Sequence, residues 1–144
     1  KDPNNKIFNR QIREITDKMI VTNHIYEVLY VNDNNCLTEG SRSNLFFIKD
    51  KNLISAPPSE ILLGVTRKFI LKDAERSGLK LIEKEINTNE IRNFDAAFIS
   101  GTSPNILPIK KIDEIEFSVN NPNLRLLMKN FDILIQEDID SFCF

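Results

Sequence analysis

The sequence predicts one α+β domain, on three observations. Its 144 residues match the size of a single domain. Short apolar runs rich in β-branched and aromatic residues alternate with stretches of helical periodicity. No repeat, linker or low-complexity tract divides the chain. With 41% hydrophobic and 28% charged residues, the composition is that of a folded chain with a real core. Several strands and three or four helices are expected.

Taken in order, Asn4 or Asn5 can cap a helix through Ile7, Ile12, Ile15 and Met19, where apolar residues recur at three- and four-residue steps. It ends near Thr22 and Asn23. Residues 25–31 read as a strand, the Asn-rich segment 32–35 as a turn, and Leu37-Thr38 as the returning strand. Residues 44–49 and 53–55 read as a second hairpin, which Pro57 and Pro58 stop because proline cannot donate to a ladder. A helix opens at Gly64-Val65-Thr66, runs through Phe69, Ile70, Leu71 and Ala74, and closes at Ser77-Gly78, where glycine suits a left-handed cap. Residues 79–86 then form a strand, and Asn87 or Thr88 caps a short helix through Ile91. Residues 95–100 read as a buried strand, and 107–117 carry two more. A closing helix over 123–142 puts Leu124, Leu127, Phe131, Leu134 and Ile135 on one face.

Composition also excludes functions. A net charge of −2 gives no basic footprint for nucleic acid. No apolar run approaches the ~20 residues of a membrane span. Two widely separated cysteines and one histidine, His24, make a metal site unexpected, and a reduced, cytoplasmic protein is the default. The start lacks an initiating Met and a signal-peptide core, so it is expected to be a cut within a longer chain.

Three short motifs bear on chemistry. Glu39-Gly40-Ser41-Arg42-Ser43-Asn44-Leu45-Phe46-Phe47 sets a carboxylate and a glycine between two strands; alone, it reads as a solvated turn acid more readily than as a functional one. Leu62-Leu63-Gly64-Val65-Thr66-Arg67 opens a helix. There unpaired N–H groups and the positive dipole end form a phosphate cradle that glycine lets an anion approach, unless Thr66 or Ser59 only caps the helix. Ser100-Gly101-Thr102-Ser103 follows the buried strand and offers donors to an oxyanion, or is simply a turn. Together they suggest a ligand with a phosphate at one end and a cationic nitrogen at the other.

In this order the motifs resemble the class IV (fold type IV) aminotransferases that use pyridoxal 5′-phosphate, a family holding branched-chain and D-amino acid aminotransferases and aminodeoxychorismate lyase. The segment Lys6-Ile7-Phe8-Asn9-Arg10 is similar to the family's lysine segment, and Lys6 stands at the family's spacing ahead of Glu39. The resemblance runs from Lys6 to about Asp113. It implies the large, cofactor-binding domain over 1–144, a mixed, barrel-like sheet with flanking helices, without the family's smaller N-terminal domain.

The resemblance makes Lys6 the Schiff-base lysine and Glu39 the partner of the pyridine nitrogen. Gly64, Val65, Thr66, Thr102 and Ser103 become phosphate-binding positions, and Arg10 and Asn44 lie beside the cofactor. It implies amino-group transfer between an amino acid and a 2-oxo acid, with pyruvate elimination by a lyase of the same fold, or a catalytically silent domain, as alternatives. It also implies a homodimer. Ala56, Leu107 and a short 57–64 loop depart from the family's pattern, at places that bear on substrate more than on cofactor.

Overall fold

A computed structural model describes residues 27–101 and 105–142. Within them the order is β1 (Leu29–Val31), β2 (Cys36–Gly40), β3 (Asn44–Lys49), β4 (Asn52–Ser55), α1 (Val65–Arg76), β5 (Lys80–Glu83), β6 (Ile86–Asn87), β7 (Ala96–Gly101), β8 (Asn105–Pro108), the small hairpin β9 (Lys111–Ile112) and β10 (Ile115–Glu116), and α2 (Pro122–Phe142). The expected helix over residues 4–23 lies outside the described residues.

β3 organises the sheet. It pairs antiparallel with β7 on one side and with β4 on the other, while its first residue, Asn44, also faces Glu39 of β2. β8 extends the sheet beyond β7, and β5 pairs parallel with β4. α1 is the crossover that a parallel pair needs. β1 and β6 pair with β2. The sheet is mixed, as expected, but its strands do not close into a barrel among the described residues.

Strand alternation sorts β3 between two cores. Phe46 and Ile48 join Phe98, Ala96, Leu53, Ile70, Leu124, Leu127 and Phe131 beneath the two helices. Leu45 and Phe47 join Leu37, Ile54, Ile86, Ile99 and Phe117 on the other side. With both faces covered, the strand reads as the unbroken apolar run Leu-Phe-Phe-Ile. Of the expected stripe on α2, Leu124, Leu127, Phe131 and Leu134 are buried, and Ile135 packs partly buried against the first core.

α1 ends as its sequence says. Gly78 has φ +80°, its N–H donates to the Glu75 carbonyl, and the Leu79 N–H donates to the Ala74 carbonyl, the two bonds of a Schellman motif. The turn before β2 uses Asn35 at φ +61°, in keeping with the left-handed tolerance of asparagine.

Residues 79–93 differ from expectation. The single strand over 79–86 is two, β5 and β6, and the helix expected from Asn87 is absent. Ile86 and Asn87 instead pair with Leu37 and Cys36 of β2, followed by a 3₁₀ turn over Ile91–Asn93. The capping side chains are used, but on a turn: Glu90 Oε1 accepts from the Asn87 N–H at 3.2 Å, and Asn87 Oδ1 from the Asn89 N–H at 2.8 Å. Two α-helices are therefore present among the described residues.

Candidate functional site

The site forms where β2, β3 and the start of α1 meet. Glu39 and Asn44 stand directly opposite each other, so their side chains leave the same face. Both reach the loop that leads into α1. The Leu62 N–H donates to Glu39 Oε1 at 2.9 Å, and Asn44 Nδ2 donates to the Leu62 carbonyl at 2.9 Å. Two side chains from one hairpin thus fix the backbone two residues before the helix cap.

That cap is Gly64, in ordinary extended geometry at φ −79° and ψ 162°. No side chain caps the helix, and its first turn carries no acidic residue. Capping by Thr66 or Ser59 is therefore not what the N-terminus uses. The first N–H groups of a helix lack intrahelical acceptors, and among the described residues no side chain caps them, so the positive dipole end suits an anion. Val65 is 70% exposed at that point. Among the described residues, a Cβ on Gly64 would meet only Asn44 Oδ1, at 3.7 Å. A phosphate ester fits this helix start, and the Glu39 carboxylate suits a protonated ring nitrogen.

Two residues with no role assigned from the sequence hold this arrangement. Glu27 fills the β2–β3 turn. Its carboxylate accepts from the Ser41 hydroxyl, the Ser43 hydroxyl at 3.0 Å, the Arg42 N–H at 3.1 Å and the Val28 N–H at 2.9 Å. The fit is tight: a Cβ on Gly40 would lie 2.2 Å from Ser43 Oγ and 3.0 Å from Glu27 Oε2. Arg67, 5% exposed, runs from the first turn of α1 to the sheet. Its Nη2 donates to Ser55 Oγ at 3.2 Å and Glu83 Oε2 at 3.3 Å, and its guanidinium carbon sits 6.0 Å from the Phe46 ring centroid. Arg67 lay within a motif and could have been singled out. Glu27 gave no local signal.

The fold thus brings Glu39, Asn44, Gly64, Val65 and Thr66 together. Lys6, Arg10, Thr102 and Ser103 lie outside the described residues. Among the described residues no group of His, Cys, Asp and Glu could hold a metal ion, and no helix is long and apolar enough to cross a membrane.

Comparison with known proteins decides the lineage. Residues 1–112 match the amino-transferase class IV family. The chain belongs to that family. The branched-chain-amino-acid aminotransferase of Pseudomonas aeruginosa is 36% identical over 87 residues, which are 60% of this chain and 28% of that protein. The D-alanine aminotransferase of Bacillus licheniformis is 30% identical over 115 residues, 79% of this chain and 40% of that protein. Among solved structures, the branched-chain amino acid aminotransferase of Thermobaculum terrenum in its PLP form superposes with a TM-score of 0.77 at 26% identity, covering 90% of this chain and 44% of that one. The chain thus spans less than half the length of these class IV relatives.

Proposed function

We propose that this chain is the cofactor-binding domain, over residues 1–144, of a pyridoxal 5′-phosphate-dependent class IV aminotransferase that moves an amino group between an amino acid and a 2-oxo acid. The observation that carries the reading is the joint hold of Glu39 and Asn44 on Leu62, which sets a carboxylate beside an uncapped, acid-free helix start. The curated sequence relatives named above, a branched-chain and a D-alanine aminotransferase, support amino transfer.

When bound, pyridoxal phosphate supplies an electron sink for the α-carbon of the amino acid. Glu39 would keep a proton on the ring nitrogen. The N–H groups of Val65 and Thr66, with the Thr66 hydroxyl, would receive the phosphate at the Gly64 helix start. Thr102 and Ser103 would add donors to the same phosphate, and Arg10 and Asn44 would lie beside the cofactor. The Lys6 amine would hold the cofactor and carry the α-proton. A second copy of the chain completes a homodimer, and sedimentation as a monomer at micromolar concentration would exclude that assembly.

The test is to add pyridoxal phosphate to the full chain, record its visible absorbance before and after borohydride, and locate the reduced pyridoxyl group by peptide mass. A single adduct on Lys6 is expected. Adducts scattered over surface lysines, or none, would overturn the assignment.

A further inference from the structure

Arg67 sits where folding gains little from an arginine. It is the third residue of α1, where a cation opposes the positive end of the helix dipole. Its burial strips the guanidinium of most of its water, and the compensation is partial. Nη2 donates to Ser55 Oγ and Glu83 Oε2 at 3.2 and 3.3 Å, while Nε is buried with no hydrogen-bond partner among the described residues. The carboxylate partner, Glu83, remains about one-third exposed. Replacing a buried ion pair by apolar side chains of similar volume is often neutral or stabilising. Stability alone therefore does not explain this residue.

Its two ends supply the explanation. The backbone of Arg67 belongs to the first turn of α1, directly after Val65 and Thr66, whose N–H groups stand at the helix start that suits an anion. Its head group lies on Ser55 and Glu83, the last residues of β4 and β5 and neighbours in their parallel pair. On the other side of Gly64, Glu39 and Asn44 hold Leu62. The helix start is thus fastened to the sheet by the loop before it and by the turn after it. Donors already fixed in direction need less ordering when an anion arrives, which raises affinity.

We infer that Arg67 is a positioning residue for the anion-binding end of α1: without touching the ligand, it fixes the direction of the Val65 and Thr66 N–H groups through its anchors Ser55 and Glu83. This rests on the pyridoxal phosphate reading above.

The experiment compares the full chain with Arg67→Met, Arg67→Lys and Ser55→Ala. Thermal unfolding is measured without ligand, followed by titration with pyridoxal 5′-phosphate and inorganic phosphate. Arg67→Met should unfold at the same or a higher temperature, yet bind both ligands about tenfold more weakly. Ser55→Ala keeps the guanidinium and its charge but removes one anchor, and should weaken both ligands about threefold. Arg67→Lys keeps one donor on a flexible stem and should fall between Arg67→Met and the unsubstituted chain. Failure of Arg67→Met to fold, or a lower unfolding temperature, would make Arg67 structural and overturn the inference. Weakening in Arg67→Met with full affinity in both Arg67→Lys and Ser55→Ala would also overturn it, because the charge and not the anchorage would then be acting. If the unsubstituted chain binds neither ligand, the functional reading fails and takes this inference with it. If it binds both and Arg67→Met binds them equally well, this inference alone fails.

Discussion

Glu39 and Asn44 grip the backbone of a single residue, Leu62, one through its N–H and the other through its carbonyl, each at 2.9 Å. The acid at the end of β2 is therefore structural, beside the cofactor role proposed for it, and the two roles separate by substitution. In Glu39→Gln the side-chain carbonyl can still accept from Leu62, so stability should change by less than about 1 kcal/mol. The lost charge should weaken or slow the cofactor chemistry. Glu39→Ala should lose both, unfolding about 1–2 kcal/mol more easily. Urea denaturation beside pyridoxal phosphate titration reads the two effects. Equal behaviour of Gln and Ala in both assays would remove the distinction.

Asn44→Asp replaces a donor by an acceptor facing the Leu62 carbonyl and sets two carboxylates directly opposite each other across β2 and β3. Like charges so placed are destabilising. A loss of about 1–3 kcal/mol is expected at neutral pH, shrinking in acid as the carboxylates are protonated. Urea midpoints at two pH values check it.

Gly40→Ala drives a Cβ against the Ser43 hydroxyl, which must rotate and give up its bond to Glu27. We expect a loss of about 1–3 kcal/mol. With Ser43→Ala already present the tightest of its contacts is gone and the closer approach to Glu27 remains, so the second substitution should cost less than it does alone. A double-mutant cycle measures this coupling, and strict additivity would contradict the contact.

Burial pushes the Asp73 carboxyl up to about 7, opposed by the Ser77 hydroxyl and Arg76 and assisted by Asp132. Between its ordinary value of 3.8 and about 7 the folded protein holds a proton that the unfolded chain releases. Stability contributed here is thus present in acid and lost as pH rises through 7. Asp73→Asn should flatten this dependence and raise the unfolding temperature at pH 8 more than at pH 5. An unaltered slope from pH 5 to 8 would show that Asp73 is not its source.

Sequence and structure agree where the signal is local. Residues 44–49 announce β3 by composition, Gly64 and Gly78 bracket α1, and the leucine spacing marks the buried face of α2. The disagreement at residues 86–93 has a physical origin. Asn87 and Glu90 form half a capping box, which ordinarily opens a helix. Here long-range pairing of Ile86 and Asn87 with β2 takes the backbone first, and nothing near Asn87 in the chain announces that partner. The site divides the same way. Glu39, Asn44 and the Gly64 helix start were legible as motif residues. The hold on Leu62, the seat of Glu27 and the reach of Arg67 to Ser55 and Glu83 depend on which strands lie side by side.

Arg67 follows Thr66 directly, and its Nη2 lands on Ser55 and Glu83, which are themselves cross-strand neighbours at the ends of β4 and β5. The first turn of α1 is thereby referenced to the sheet like a lens bolted to its bench. Redesign for a different ligand cannot re-aim this helix end by adjusting the helix alone, since any tilt strains a buried cation and the parallel strand pair together. New specificity would have to be built on exposed positions that neither Arg67 nor the Leu62 hold constrains, with the Leu63 and Val65 side chains the nearest examples.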